Sequence, residues 1–214
     1  MVILGAGESG VGAAILAVQK GWNVFVSDMS QIKEEFQAEL TKLGVQWEQG
    51  THSMDVILAA DLIIKSPGIP EKAAVMKAIR EKGIKVISEI EFGGYHTTGK
   101  TICITGSNGK TTTTMLTHHI LKKAGLDVGL AGNVGYSFAK QVAQGDHDWY
   151  VIELSSFQLD DMYDNKTDID NASLLNGGGI FANANQASSY LSSSDYSPNQ
   201  ISNSVHFKQF SNGS

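Results

Sequence analysis

Two glycine-rich turns, at residues 5–10 and 105–112, each lie between a short apolar run and a segment with helical periodicity. The helical segment at residues 10–20 repeats its apolar residues every three or four positions, and Gly21 ends it. Similar apolar runs and helical segments alternate as far as about residue 152. This alternation predicts an α/β fold built on a parallel, doubly wound sheet.

The composition limits what such a chain does. Its 214 residues suffice for two small domains, and a formal net charge of −6 argues against a protein that coats nucleic acid. No apolar run reaches the roughly 20 residues that a membrane span needs, and no secretory signal precedes the first strand. The single cysteine, Cys103, excludes an internal disulfide. We therefore expect a cytoplasmic, monomeric chain with no nucleic-acid and no membrane partner.

The second turn has the features of a phosphate-binding loop, although Ile104 stands where the P-loop consensus has its first glycine. Its backbone N–H groups and the following helix N-terminus can cradle phosphate oxygens. Lys110 supplies a positive charge for the β- and γ-phosphates of ATP, and Thr111 offers a hydroxyl to Mg²⁺. The alternative is a tight turn with a solvated lysine. The predicted ATP-binding residues are Gly106, Ser107, Asn108, Gly109, Lys110, Thr111 and Thr112.

Glu153 directly follows the apolar run at residues 150–152. Ligands of open α/β sheets gather at the carboxyl ends of strands, and a carboxylate there can hold the metal that bridges ATP phosphates. We therefore predict that Thr111 and Glu153 bind Mg²⁺. A surface carboxylate is the alternative for Glu153.

The first turn fits the dinucleotide pattern G-x-G-x-x-G, and Asp28 ends the next strand, where a ribose-binding acid is expected. An NAD-dependent oxidoreductase is therefore a competing interpretation, because the pattern does not separate NAD from another nucleotide diphosphate. The sequence Ser-Pro-Gly at residues 66–68 either approaches the same ligand or forms a rigid turn. The same two interpretations apply to Gly-Asn-Val-Gly at residues 132–135.

These motifs divide the chain into three parts. We predict a Rossmann-like parallel-sheet domain at residues 1–92 and a partial P-loop α/β domain at residues 93–164. The remaining residues, 165–214, are rich in Ser, Asn and Gly and contain no Arg, so their composition predicts loop or disorder. We treat this tail as a segment of unknown fold, with short strands near residues 204–210 as an alternative.

Taken together, the motifs resemble those of the Mur ligases, ATP-dependent enzymes that add amino acids to UDP-N-acetylmuramic acid in peptidoglycan synthesis. The loop at residues 105–111 matches their ATP loop, which also lacks the first P-loop glycine. The run Glu-Leu-Ser-Ser-Phe-Gln-Leu at residues 153–159 is similar to that of the members that add D-glutamate to UDP-N-acetylmuramoyl-L-alanine. The resemblance covers about residues 1–164.

The resemblance implies a role for each motif. The first domain would hold the UDP end of the substrate instead of NAD, and Lys110 and Glu153 would be the catalytic residues. The implied substrate-binding residues are Glu8, Ser9 and Asp28 near uridine, Ser66, Pro67 and Gly68 near the diphosphate, and Asn133, Ser155 and Gln158 near the muramoyl-alanine end.

The implied reaction is an acyl-phosphate ligation. The substrate carboxylate attacks the γ-phosphate of ATP, and the amine of D-glutamate then displaces phosphate, while Mg²⁺ and Lys110 neutralise developing charge. Family members continue with a metal-binding histidine, a carbamylated lysine and a further domain, none of which is recognisable at residues 165–214. We therefore expect an N-terminal ligase portion that binds the UDP ligand but is inactive alone. A non-catalytic nucleotide-binding module and the NAD-binding oxidoreductase are the alternatives.

Overall fold

The computed structural model describes residues 1–106, 108–159, 173–175 and 178–181. The chain divides into two compact units, each treated separately below. Unit 1 contains Met1–His96 and Ser137–Gly145, and unit 2 contains Thr97–Tyr136 and Asp146–Ser214. Both units are α/β structures, as predicted from the alternation of apolar runs and helical segments.

The elements follow one another in regular alternation. In chain order they are β1 (Val2–Leu4), α1 (Glu8–Gln19), β2 (Phe25–Asp28), α2 (Glu34–Lys42), β3 (Gln46–Gln49), α3 (Met54–Leu58), β4 (Leu62–Lys65), α4 (Ala74–Lys82), β5 (Lys85–Ser88), α5 (Glu89–Gly94), β6 (Lys100–Gly106), α6 (Lys110–Lys123), β7 (Val128–Gly132), α7 (Phe138–Gln144), β8 (Trp149–Glu153), α8 (Ser156–Leu159), β9 (Ser173–Leu175) and β10 (Gly178–Phe181).

Unit 1 is built on a parallel five-stranded sheet with the order β3-β2-β1-β4-β5. The central strand β1 is almost completely buried, which explains why it is a continuous apolar run and not an alternating one. Its Val2 pairs with Phe25 of β2 on one side and with Ile63 of β4 on the other. The chain direction across the sheet reverses between β1 and β4, so the carboxyl ends of these two strands border the crevice where such folds bind ligands.

The core on one side of this sheet is formed by apolar residues from the strands and from α3 and α4. Helix α4 begins at Ala74 and buries Val75, Met76 and Ile79. Gly83 ends it in the left-handed conformation, with a φ of +72°. The members of this core are Val2, Leu4, Ile57, Ile63, Val75, Met76, Ile79 and Val86.

Helix α7 belongs to unit 1, although it lies within the residues that the sequence assigned to the P-loop domain. Ser137 caps its N-terminus by accepting a hydrogen bond from the Lys140 N–H. A Cβ at Gly12 of α1 would overlap the Ser137 Oγ, so this glycine permits the close approach of α1 and α7. The boundaries predicted at residues 92 and 164 stay predictions, and the structure adds that unit 1 is discontinuous in sequence.

Unit 2 contains a second five-stranded sheet, with the order β7-β8-β6-β10-β9. Strands β6, β7 and β8 are parallel, whereas β10 runs antiparallel to β6 and β9 antiparallel to β10. Strands β9 and β10 fall in the tail, so the prediction of loop or disorder is wrong for these seven residues. The backbone of β10 pairs with the edge of β6 that β8 leaves open, and such pairing cannot be recognised from composition. The alternative strands at residues 204–210 lie outside the described residues.

Candidate nucleotide and phosphate sites

A pocket of about 620 Å³ opens at the carboxyl ends of the unit 1 strands, which is a volume suited to a nucleotide. Three groups of predicted residues line it: the glycine turn after β1, the end of β2, and the loop after β4. Residues from these groups are Gly5, Gly7, Ser9, Asp28, Ser66, Pro67 and Gly68. The predicted Glu8 is the first residue of α1 and is not among the lining residues.

Asp28 holds the glycine turn in place. Its Oδ2 accepts a hydrogen bond from the Ala6 N–H at 2.7 Å, and its Oδ1 accepts one from the Ser30 N–H at 2.8 Å. Gly5 has a φ of +92°, and a Cβ at Gly10 would overlap the Gly5 carbonyl oxygen, so the turn tolerates no side chain at either position. The carboxylate that the motif assigns to a ribose therefore also organises the turn itself.

The loop after β4 lies directly against this turn. A Cβ at Gly5 would overlap the Ser66 hydroxyl, and the Ser66 N–H donates to the carbonyl of Leu4 at 2.9 Å. Beneath the loop, the buried Lys65 ammonium donates to the Ile69 carbonyl at 3.1 Å and lies 3.5 Å from the Glu71 carboxylate. These contacts hold the glycine turn and the Ser-Pro-Gly loop together as one wall of the pocket, although they are about 60 residues apart in the chain.

His52 also lines the pocket, and sequence reasoning missed it because the six histidines show no ligand spacing. It follows β3, an edge strand in which every residue except Trp47 is polar. The sequence of β3 therefore shows no apolar run. A recognised β3 would have placed His52 at the carboxyl end of a strand, beside Asp28.

In unit 2, the predicted phosphate loop connects β6 to α6. Gly109 precedes the helix as its N-cap in the left-handed conformation, with a φ of +75°, and no side chain caps the helix N-terminus. The Lys110 ammonium donates to the Gly106 carbonyl at 2.8 Å, so it is held over the loop. Thr111 and Thr112 are exposed in the first turn of α6. Asn108 is exposed in the loop, and Ser107 lies outside the described residues.

Glu153 lies at the carboxyl end of β8 and is only 1 % exposed. Its Oε1 accepts a hydrogen bond from the Asn133 amide at 2.8 Å, whereas its buried Oε2 has no hydrogen-bond partner among the described residues. The adjacent strand β6, which pairs Ile104 with Glu153, leads directly into the phosphate loop. A buried carboxylate oxygen without a partner is expensive, and a cation is the group that would satisfy it.

This arrangement fits Mg²⁺ bound together with phosphates. No cluster of three metal-ligating side chains occurs in the described part of the chain. Mg²⁺ characteristically takes only one or two protein carboxylates and completes its shell with phosphate oxygens and water. Glu153 and the Thr111 hydroxyl are the residues of unit 2 that suit such a site.

Ser155 and Gln158 contact each other beyond the end of β8. The Ser155 N–H donates to the Gln158 Oε1 at 2.8 Å, and the Ser155 hydroxyl lies 3.0 Å from the same oxygen. Gln158 is buried, so it stabilises the turn that starts α8. The Asn133 N–H likewise donates to the Glu153 carbonyl at 2.9 Å. All three residues predicted at the muramoyl-alanine end therefore lie close to the ends of β7 and β8.

Two family descriptions match the chain. "Mur ligase MurD-like, N-terminal domain" covers residues 1–88, and "Mur ligase middle domain" covers residues 104–178. Over these segments the chain belongs to the Mur ligase family. The glycine turn and the Ser-Pro-Gly loop both fall inside the first match, and the phosphate loop and Glu153 fall inside the second. The NAD-binding alternative receives no support from these matches.

Two relatives with high sequence identity have the same name. A protein of Bacteroides fragilis named "UDP-N-acetylmuramoylalanine--D-glutamate ligase" is 60% identical over 169 residues, which are 79% of this chain and 38% of that protein. A protein of the same name from Cytophaga hutchinsonii is 61% identical over 178 residues, covering 82% and 39% respectively. The chain thus spans less than two fifths of the length of these relatives.

The murein peptide ligase of Psychrobacter arcticus matches with a TM-score of 0.48 and 25% identity, over 72% of this chain and 37% of that one. Mur ligases are ATP-dependent enzymes of peptidoglycan synthesis. A search of the described helices finds none with the length and apolar character that crossing a membrane requires.

Proposed function

We propose that this chain is the N-terminal portion of an ATP-dependent ligase that adds D-glutamate to UDP-N-acetylmuramoyl-L-alanine. The observation that carries the proposal is the 60% identity over 169 residues to relatives that bear this activity in their names. Unit 1 binds the UDP end of the substrate, and unit 2 binds ATP with Mg²⁺.

The unit 1 pocket supports the substrate assignment through its chemistry. Helix α1 starts at the pocket with Gly7 as its N-cap and with no side-chain cap, so its N–H groups are suited to a diphosphate. A Cβ at Gly7 would meet open space, which leaves room for a ligand to approach the backbone. Asp28 and Ser9 line the same pocket and offer polar atoms to the nucleoside.

The unit 2 loop supports the ATP assignment. Lys110 is placed to neutralise phosphate charge, and the Thr111 hydroxyl and the Glu153 carboxylate are suited to Mg²⁺. When bound, Mg²⁺ supplies positive charge that stabilises the transferring phosphoryl group. The Asn133 amide fixes the Glu153 carboxylate at 2.8 Å, so the unpartnered Oε2 is already oriented before any ligand arrives. Glu8, Ser107 and Thr112 stay predicted site residues.

The complete reaction forms an acyl phosphate on the muramoyl-alanine carboxylate and then an amide with D-glutamate. We propose that the 214-residue polypeptide binds the UDP substrate without forming the amide, since the relatives are more than twice as long. A cytoplasmic location, a monomeric state and the lack of a nucleic-acid partner stay predictions of the sequence.

Calorimetric titration tests the substrate assignment. Titrating the chain with UDP-N-acetylmuramoyl-L-alanine is expected to give saturable binding, whereas NAD gives none. Binding of NAD without a response to the UDP ligand would overturn the proposal in favour of the oxidoreductase. Amide formation from ATP and D-glutamate by this polypeptide alone would contradict its proposed inactivity.

A lysine substitution tests the ATP assignment. Lys110→Ala is expected to weaken binding of Mg²⁺–ATP by about tenfold or more, because a charged hydrogen bond to phosphate is lost. Lys123→Ala is the matched control, since Lys123 is exposed at the other end of the same helix. Equal ATP affinities of the two variants would count against a phosphate-binding loop.

A further inference from the structure

A polar chain of three side chains runs from the interior of unit 1 to the pocket. Ser27 of β2 is fully buried, and its hydroxyl lies 2.6 Å from the Oε1 of Glu48 on β3. The same hydroxyl lies 2.7 Å from the Nδ1 of His52, which lines the pocket. None of these three residues belongs to the motifs that sequence reasoning identified.

The carboxylate of Glu48 is held in its ionised form. It accepts hydrogen bonds from the Ser53 N–H at 2.7 Å and from the Ser53 hydroxyl at 2.5 Å, in addition to Ser27. Burial raises the pKa of Glu48, but the hydrogen bonds from Ser27 and Ser53 outweigh burial and hold the pKa below its usual value. At neutral pH this carboxylate can therefore only accept hydrogen bonds.

The position of the proton on His52 follows from counting donors. A serine hydroxyl has one proton, and the Ser27 proton goes to the charged Glu48 at 2.6 Å in preference to the neutral carbonyl of Thr51 at 3.4 Å. The Ser27 oxygen can then only accept from His52. In the neutral ring the proton must be on Nδ1, which leaves Nε2 as the acceptor.

We propose that Ser27 and Glu48 are positioning residues that fix His52 in the Nδ1–H form, so that its Nε2 accepts a hydrogen bond from the nucleoside of a bound uridine nucleotide. This assignment rests on the function proposed above for unit 1. It adds a residue that determines which ligand the pocket takes.

The sheet order supports a contact with the nucleoside end and not with the phosphates. The α1 N-terminus and the Ser-Pro-Gly loop lie at β1 and β4, whereas Asp28 and His52 lie beyond β2 and β3. In a fold of this type, phosphate binds at the first helix N-terminus and the nucleoside extends over the second strand. The uracil imide and the ribose hydroxyls are hydrogen-bond donors, which an acceptor nitrogen can recognise, whereas phosphate oxygens are acceptors.

Nitrogen NMR of the labelled histidine rings tests the tautomer on the full 214-residue chain. The ring signals absent from a His52→Phe variant identify His52. We expect the neutral ring to carry its proton on Nδ1 in the wild type and to shift towards the Nε2–H form in Ser27→Ala. A wild-type ring with its proton on Nε2 would overturn the proposal, whether or not any nucleotide binds.

Binding of UDP tests the ligand contact. His52→Phe is expected to weaken UDP binding about three- to tenfold, as for the loss of one neutral hydrogen bond, while His119→Phe on the exposed surface of α6 leaves it unchanged. If the wild type binds UDP and His52→Phe binds it equally well, the nucleoside contact is wrong while the proposed function stands. If the wild type does not bind UDP, both are wrong.

Analogues locate the donor. N3-methyl-UDP lacks the imide proton, whereas 2′-deoxy-UDP and 3′-deoxy-UDP each lack one ribose hydroxyl. The analogue that lacks the contacted donor should bind the wild type as weakly as UDP binds His52→Phe, and should lose nothing further in that variant. If His52→Phe weakened the binding of UDP and of every analogue by the same factor, the variant would have changed the fold of the pocket. That result would overturn the proposed hydrogen bond between His52 and the nucleoside.

Discussion

The two units treat the polar groups at their ligand sites in opposite ways. In unit 1, the carboxylates of Asp28 at the pocket and of Glu48 behind it are paired: Asp28 accepts from two backbone N–H groups, and Glu48 accepts from Ser27 and Ser53. In unit 2 the buried Glu153 keeps one oxygen without a partner among the described residues. The carboxylates of Asp28 and Glu48 in unit 1 are therefore paired before any ligand binds, whereas unit 2 retains a buried carboxylate oxygen that a cation would stabilise.

The two units also differ in how much apolar surface their helices bury. Helix α1 of unit 1 is buried along most of its length, from Gly10 to Ala17. Helix α6 of unit 2 buries only Thr114 fully and exposes Met115, Leu116 and Ile120, the last two at 56 %. The described part of unit 2 thus forms less of its own core.

The rigidity of the unit 1 turn is tested by adding one methyl group. Gly10→Ala would place a Cβ against the Gly5 carbonyl oxygen, and backbone atoms cannot move aside as a side chain can. We expect a loss of about 3 kcal/mol or more in the free energy of unfolding, measured by urea denaturation, together with loss of UDP binding. Gly7→Ala is the control, because its Cβ would meet open space. It should cost about 1 kcal/mol or less. Gly7 lines the pocket, so it serves as a control for stability alone, and equal losses of unfolding free energy in both variants would contradict a preformed turn.

The junction between α5 and α7 of unit 1 should respond to pH. The Glu89 Oε1 accepts from the Ser137 hydroxyl and from the Ala139 N–H, both at 2.6 Å. Burial nevertheless raises the pKa of Glu89 to about 7. Because the folded pKa exceeds the unfolded value of 4.5, the folded state retains a proton between these pH values that the unfolded state has released. The stabilisation from this proton is complete below pH 4.5 and is lost as the pH rises to about 7.

A neutral variant isolates that contribution. Glu89→Gln keeps an oxygen that can accept both hydrogen bonds but cannot ionise. Relative to the wild type, it should gain up to about 3 kcal/mol of unfolding free energy as the pH rises from 4.5 to 8. Denaturation curves collected across this range measure the difference. A constant difference between wild type and variant would show that Glu89 titrates alike in the folded and unfolded states.

Much of the fold could be predicted from local patterns, and the exceptions share a cause. Strands β1, β2, β4 and β5 contain short apolar runs of the kind that alternate with helical segments in the sequence. Strand β3 has no such run, because three of the four residues in Gln46–Gln49 are polar and the strand lies at the edge of the sheet. Helix α5 has no clear helical pattern in the sequence because it contains Gly93 and Gly94, although the Ser88 hydroxyl caps it by accepting from the Glu91 N–H.

The candidate site could be predicted to the same extent, because only residues with a local sequence pattern can be recognised. The glycine turn, the Ser-Pro-Gly loop and Glu153 each carry a local signature, and the structure gathers the first two around one pocket. His52 has no such signature, because the role proposed for it depends on a serine 25 residues away in the chain and on the pairing of β2 with β3. The placement of α7 in unit 1 also depends on a tertiary contact, since only the absence of a Cβ at Gly12 admits Ser137. Interactions between distant segments are therefore what the sequence motifs left out.

The unsatisfied carboxylate of unit 2 predicts opposite effects on stability and on binding. Glu153→Gln removes a buried carboxylate whose Oε2 lacks a partner among the described residues, keeps an acceptor for the Asn133 amide, and should raise the free energy of unfolding by about 1 kcal/mol. It should also weaken Mg²⁺–ATP binding about tenfold, since one metal ligand is lost. Asp148→Asn, at an exposed position just before β8, is the control and should change neither quantity. A variant that is destabilised and binds ATP normally would mean that Glu153 serves the fold and not the metal.

The exposed face of α6 predicts the smallest effect. Ile120→Gln replaces an apolar side chain that is 56 % exposed, so we expect the free energy of unfolding to change by no more than about 0.5 kcal/mol. The corresponding change in unit 1, Leu16→Gln, places an amide at a fully buried position of α1 and should cost about 3 kcal/mol or more. Urea denaturation of the two variants measures the contrast directly. If Ile120→Gln proved as costly as Leu16→Gln, the apolar face of α6 would be covered in solution, and the difference between the two units would be confined to the unpartnered carboxylate oxygen of Glu153.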